Sequence, residues 1–212
     1  GGNVNADFTI SNGTLTAGTV DINGGAVDGT TIGAASASTG AFTTLSASSN
    51  VSFDGGTIKL DGNYPTGSNN VALGDTALDD GSLSGAANVA IGHAALTANT
   101  SGNSNTGVGF AALDANTTGG LNTAVGQDAL GANTTASNNT ALGYQALRVN
   151  TTGAFNVGVG ADALYSNTTG EDNVAVGRGL YTNTTGDKNT AVGRSALYSN
   201  TTADENTAVG HS

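Results

Sequence analysis

The sequence predicts an all-β fold, a parallel β-solenoid or β-roll built from short stacked repeats. Three observations carry the prediction: a 17-residue motif recurs nine times, its regularly placed glycines interrupt any helix, and large side chains are few. The motif opens with Asn at Asn70, Asn88, Asn105, Asn122, Asn139, Asn156, Asn173, Asn189 and Asn206, at spacings of 18, 17, 17, 17, 17, 17, 16 and 17. It reads N-[TV]-[AG]-[VIL]-G-x-x-A-L-x-x-N-T-T-G-x-x, and residues 122–138, NTAVGQDALGANTTASN, are a representative copy. Self-similarity at a fixed period marks a stacked repeat architecture. A helical solenoid would need apolar residues at i, i+3, i+4 and i+7 over ten residues or more, and Gly at positions five and fifteen leaves no such stretch.

Each element of the repeat has a physical reading. Side chains alternate across a strand, so positions two and four (Thr or Val, then Val, Ile or Leu, as Val125) should share one face and form an aliphatic core. Positions three and five (Ala or Gly, then Gly, as Gly126 and Gly143) should share the other, where a second backbone can approach closely. Ala-Leu at positions eight and nine, with Leu130 and Leu147, should open a second short strand. Asn-Thr-Thr-Gly, beginning at Asn133 and Asn150, should turn the chain. Asn at positions one and twelve should also stack as a ladder of amides, with Asn122 and Asn139 as neighbouring rungs. The residues expected to specify the coil are therefore Asn122, Val125, Gly126, Leu130, Asn133, Asn139, Gly143, Leu147 and Asn150.

The array occupies residues 70–212. Residues 1–62 lack the period but alternate apolar and polar residues, as in Phe8-Thr9-Ile10 and Val20-Asp21-Ile22, between turn pairs such as Asn12-Gly13 and Asp28-Gly29. They predict a β-rich stalk or connector, joined to the array by a linker over 63–69 that holds Pro65, the sole proline. The absence of Met and the end within a repeat predict that the chain belongs to a longer polypeptide.

Composition narrows the function classes. Sixteen acidic residues against five basic ones give a net charge of −11, so no nucleic-acid partner is expected. No apolar run approaches membrane-spanning length, so no membrane partner is expected either. With no Cys there is no disulfide and no thiolate metal site. A core of Ala, Val and Leu is thin for a free-standing roll, and three chains packed about a common axis through the Ala/Gly face would remedy that. The expected assembly is a homotrimer.

No catalytic, cofactor or metal site is expected. His93 and His211 both fall at the variable position six, without a second ligand at a useful spacing. Asp75, Asp79 and Asp80 lie in the irregular first repeat and read as a solvated cap; Glu171-Asp172 and Asp204-Glu205 read as solvent-facing turns. The Asn-Thr-Thr sequons from Asn116 to Asn200 follow from the repeat itself. Stacked Thr pairs raise an ice-binding alternative, disfavoured because the two threonines are adjacent in a turn. A polysaccharide-degrading enzyme would set carboxylate pairs on a groove, and here the acids occupy variable positions.

Two resemblances add to this reading. Asn88-Val89-Ala90-Ile91-Gly92, Asn122-Thr123-Ala124-Val125-Gly126 and the corresponding run from Asn189 to Gly193 resemble the Ser-Val-Ala-Ile-Gly rungs in the β-roll heads of trimeric autotransporter adhesins. Val27-Asp28-Gly29-Thr30-Thr31-Ile32-Gly33-Ala34 and Ser38-Thr39-Gly40-Ala41-Phe42-Thr43-Thr44-Leu45 resemble segments of tail fibres of marine and cyanobacterial phages, which also carry Asn-Thr-Ala-Val-Gly…Ala-Leu…Asn-Thr-Thr-Gly arrays. The resemblance implies a structural fibre segment of a virion that supports host attachment. Its partners would be other fibre proteins and a host receptor or glycan. The alternative is a segment of a bacterial surface adhesin.

Overall fold

A computed structural model describes residues 68–211. The expected stalk over 1–62 and most of the linker over 63–69 lie outside the described residues. Nine strands of three residues follow in order: β1 Val71–Leu73, β2 Val89–Ile91, β3 Thr106–Val108, β4 Thr123–Val125, β5 Thr140–Leu142, β6 Val157–Val159, β7 Val174–Val176, β8 Thr190–Val192 and β9 Thr207–Val209. They form one parallel sheet in chain order, each strand paired only with its sequence neighbours. The register sets like on like: Thr123 on Thr140, Ala124 on Ala141, Val125 on Leu142. The chain is thus a parallel β-solenoid of about eight coils, as the periodicity predicts, and the described residues contain no helix.

Short strands of β-branched residues favour extended backbone, and pairing extends past the strand ends. The Thr123 N–H donates to the Asn139 carbonyl at 2.8 Å, and the Gly126 N–H donates to the Val108 carbonyl at 2.8 Å. Bonds therefore leave each coil in both directions along the axis.

The faces of the strand are the reverse of the expectation. The middle residue, Ala or Gly at position three, points inward: Ala90, Ala124, Ala141, Ala175 and Ala191 are fully buried. Positions two and four point outward, leaving Val125 and Leu142 each 38 % exposed. The reason is the width of the coil. Leu at position nine and Asn at positions one and twelve already fill the interior, as fully buried Leu130, Asn122 and Asn133 illustrate. Only a methyl group fits beneath the strand, so the Val side chain has no room inside.

The second expected strand is also absent. Ala-Leu at positions eight and nine forms a corner, in which Leu130 has φ 52° and Leu147 φ 53°. Positions seven and seventeen take the same left-handed conformation, as in Asp128 (φ 54°) and Asn138 (φ 62°). Left-handed backbone costs an L-residue about 1–2 kcal/mol, and it persists where surrounding contacts over-determine it. Here it turns each peptide to bond along the axis: the Asp128 N–H reaches the Phe110 carbonyl at 2.9 Å, and the Leu130 N–H reaches the Ala146 carbonyl at 3.0 Å. Burying the Leu side chain then returns about 1.5–3 kcal/mol.

Candidate functional site

The most specialised groups in this molecule are two columns of buried asparagine. At position twelve, the Asn133 amide donates one hydrogen to the Asn116 Oδ1 at 2.8 Å and the other to the Ala136 carbonyl at 3.1 Å. Asn150 repeats this, reaching the Asn133 Oδ1 at 3.1 Å and the Gly153 carbonyl at 2.9 Å. The column runs without a break from Asn99 to Asn200. At position one, the Asn122 Oδ1 accepts the Asn139 backbone N–H at 3.0 Å, while the Asn122 amide donates to the Ala136 carbonyl at 2.8 Å. Asn139 in turn accepts the Asn156 N–H at 2.9 Å and donates to the Gly153 carbonyl at 2.9 Å.

One carbonyl at position fifteen therefore receives both asparagines of its own coil, and each asparagine also binds an adjacent coil. A buried polar group left unpaired costs about 1–3 kcal/mol, so both columns fix the rise from coil to coil. The expected Asn ladder is present, and its role is larger than that of a turn residue alone.

Gly143 and Gly126 hold a second constraint. Gly143 has φ 140°, and a Cβ there would lie 2.5 Å from the Gly160 carbonyl oxygen of the next coil. The steric need read from the sequence is real, and the adjacent coil of the same chain is enough to impose it.

Threonine at position thirteen closes another column along the axis. The Thr117 hydroxyl donates to the Thr134 carbonyl at 3.0 Å, and the Thr151 hydroxyl donates to the Thr168 carbonyl at 3.0 Å. The threonines at position fourteen, such as Thr118 and Thr135, are exposed. Two adjacent threonines that recur together offer no sequence signal that they would separate in this way.

The variable positions six and ten gather at one corner. Tyr165, Tyr181 and Tyr198, all at position ten, stack with ring centres 5.2 and 5.1 Å apart. The Arg178 guanidinium lies 4.4 Å from the Tyr181 ring centre, and its Nε lies 3.5 Å from an Asp162 carboxylate oxygen. His93 stacks on Phe110 with centres 5.2 Å apart and approaches Asp75 at 3.7 Å. In the first coil, the hydroxyl and then the amide of Ser82 hold the Asp80 carboxyl below its usual range. Burial raises the Asp114 carboxyl, with Asp128 adding to the shift while the Ala115 amide and Arg148 oppose it. Among the described residues no three His, Asp or Glu side chains gather where they could hold one metal ion.

The outer strand face remains. Position four carries only Val, Leu or Ile in all nine copies, and position two only Val or Thr. These side chains form a stripe along the array, aliphatic at position four and mixed Val and Thr at position two, with every position-four residue exposed or half-buried.

The chain matches no protein-family model, no curated protein and no solved structure.

Proposed function

We propose that this chain is a structural segment of a virion tail fibre or spike, a rod that holds an attachment tip away from the particle. The observation that carries the proposal is the uninterrupted coil-to-coil continuity of the two asparagine columns. Each coil repeats the contacts of the one before, so added copies lengthen the rod without requiring a new fold. Its working assembly is a homotrimer joined to other fibre proteins, and its role is mechanical, without catalysis. The tip it supports meets a host receptor or glycan.

A bacterial surface adhesin is the second reading, favoured by the pentapeptide Asn88-Val89-Ala90-Ile91-Gly92. Antibody raised against residues 70–212 separates the two by immunogold electron microscopy of a lysed culture. Gold on thin fibres of phage particles is the expected result. Gold confined to bacterial surfaces would replace the virion reading by the adhesin. Release of sugar from host polysaccharide by the purified chain, lost on changing its Asp residues to Asn, would replace both by an enzyme.

A further inference from the structure

Charge divides between two corners in the seventh and eighth coils, residues 173–205. Their acids, Asp187, Asp204 and Glu205, all stand at positions sixteen and seventeen. Their two arginines, Arg178 and Arg194, both stand at position six, beside the stacked tyrosines. The corner formed by positions six, seven and ten carries Asp114, Asp128 and Asp162 up to the sixth coil and no acid after it. A chain of net charge −11 thus keeps one local concentration of positive charge.

Strand register sets Arg194 beside Arg178, two residues past the pair Val176 and Val192, and His211 follows on the next rung. At about 4.8 Å per rung, neighbouring guanidinium groups repel. The stacked acids of the other corner have a reason within the fold. The Asp187 Oδ1 accepts the Glu171 N–H at 2.8 Å, and the Asp204 Oδ1 accepts the Asp187 N–H at 2.8 Å. Arg194 has no such reason: it is exposed, with no carboxylate in ion-pair range among the described residues. Arg178 is the fixed member. Its guanidinium lies 4.4 Å from the Tyr181 ring centre and 5.5 Å from that of Tyr198. Its Nε is buried without a hydrogen bond, 3.5 Å from Asp162. The ring contacts hold the group in place and leave its terminal nitrogens free to donate outward.

We infer that Arg178 and Arg194 form an oxyanion site for an acidic polysaccharide lying along the rod, an inference that rests on the reading of the chain as an external attachment fibre. A guanidinium matches carboxylate and phosphate alike, with two parallel hydrogen bonds. An anion between the two rungs also relieves their repulsion. The corner is open to water, so a lone small anion gains little there, whereas a polymer that repeats its charge engages both rungs at once. A nucleic acid fits less well. Its bases need free ring faces, and those of the tyrosines are taken by one another at 5.1 Å and by Arg178. Its dense phosphates also meet an acidic chain.

The test titrates the full chain into fluorescently labelled polygalacturonate and, separately, phosphorylated mannan, with anisotropy as the readout. Binding to at least one is expected, weakening as salt is added. Arg194→Gln should weaken it about tenfold without changing the melting temperature, and Arg194→Lys should recover only part of the loss. Lys188→Gln, which removes an exposed cation from the other corner, should leave binding unchanged. The polymer bound more tightly identifies the group as carboxylate or phosphate.

No binding to either polymer, equal binding of neutral dextran, equal losses for Arg194→Gln and Lys188→Gln, or tighter binding of a single-stranded oligonucleotide would each overturn the site. None of these touches the fibre reading, which the position of the gold label decides. Gold confined to bacterial surfaces would in turn replace the fibre and leave the binding result standing.

Discussion

Two coils depart from the common length, and they depart in opposite ways. The first, residues 70–87, is one residue longer, and the seventh, residues 173–188, is one residue shorter. In the short coil the missing residue is the left-handed one at position seven: the corner runs Gly177-Arg178-Gly179-Leu180, and the φ of Gly177 falls to 89°. Both asparagine columns pass through undisturbed, with Asn183 bonded to Asn167 at 3.0 Å and the Asn189 N–H to Asn173 at 2.9 Å. In the long coil the extra chain enters as Asp79-Asp80-Gly81-Ser82, and fully buried Leu83 precedes Ser84, whose N–H reaches the Thr100 carbonyl at 2.6 Å. Leu83 thus takes the place of the position-twelve asparagine, and that column starts one coil later, at Asn99. The corner can lose a residue at no expense to the columns, whereas a coil without its asparagine marks the end of one.

The comparison can be broken most forcefully at position five. Gly143→Val places a β-branched residue at φ 140° with its Cβ against the Gly160 carbonyl. Strain and overpacking together should cost about 2–6 kcal/mol. Gln127→Val, at an exposed position without left-handed backbone, should stay within about 0.5 kcal/mol. Equal denaturation midpoints for the two would remove the steric argument.

The asparagine columns come next. Asn133→Leu strands the Asn116 oxygen below it and the Asn150 amide above it, and should cost about 2–4 kcal/mol. Asn99→Leu has a partner only on its Asn116 side within the column and already neighbours the coil of Leu83, so it should cost about half as much. Chemical denaturation of the pair gives the ratio, and equal losses would mean that the column does not act as a column. Asn139→Ala, in the other column, should lower the melting temperature while Gln127→Ala leaves it unchanged.

At the corner, Gln145 has φ 54°. Gln145→Val, which appears harmless from the variety of residues at position seven, should cost about 1–2 kcal/mol, since a β-branched residue fits left-handed backbone poorly. Gln145→Gly should be neutral or slightly stabilising. Thermal melts of both variants test whether the strain is present.

The smallest effect concerns Asp114. Its carboxyl is raised in the fold, so it favours the folded state only while protonated, and that contribution is lost as the pH rises through its folded pKa. Asp114→Asn should therefore melt slightly higher than the unmodified chain at pH 7, and the difference should close in acid. A variant that melts lower at pH 7 would contradict the sign.

What could be read from the sequence follows from these same residues. Period, parallel stacking, the need for Gly143 and the Asn ladder were all legible, because each repeats at every copy and has a single physical explanation. The direction of the strand was not. Three alternating residues allow two parities, and the usual preference for Val over Ala in a core chose the wrong one. The small interior decides the matter, and its width depends on Leu130 and the two asparagines reaching across the coil. Recurrent Ala at positions three and eight was the available signal. Left-handed Leu130 was not legible either, since Leu rarely adopts that backbone and only the coil-to-coil bonds hold it there.

The central claim is that every coil advances the rod by one strand spacing, whatever its residue count. The most direct measurement uses pairs of spin labels on cysteines placed at the exposed position fourteen, in a background of unlabelled chain. From Ser101 to Thr185 the path crosses five rungs, and to Thr202 it crosses six, giving separations of about 24 and 29 Å at about 4.8 Å per rung. The step from Thr152 to Thr169 spans 17 residues and the step from Thr169 to Thr185 spans 16. Measured from Ser101, the four distances to Thr152, Thr169, Thr185 and Thr202 should rise by the same increment. A shorter increment across the short coil, or distances that fail to grow linearly, would contradict the account.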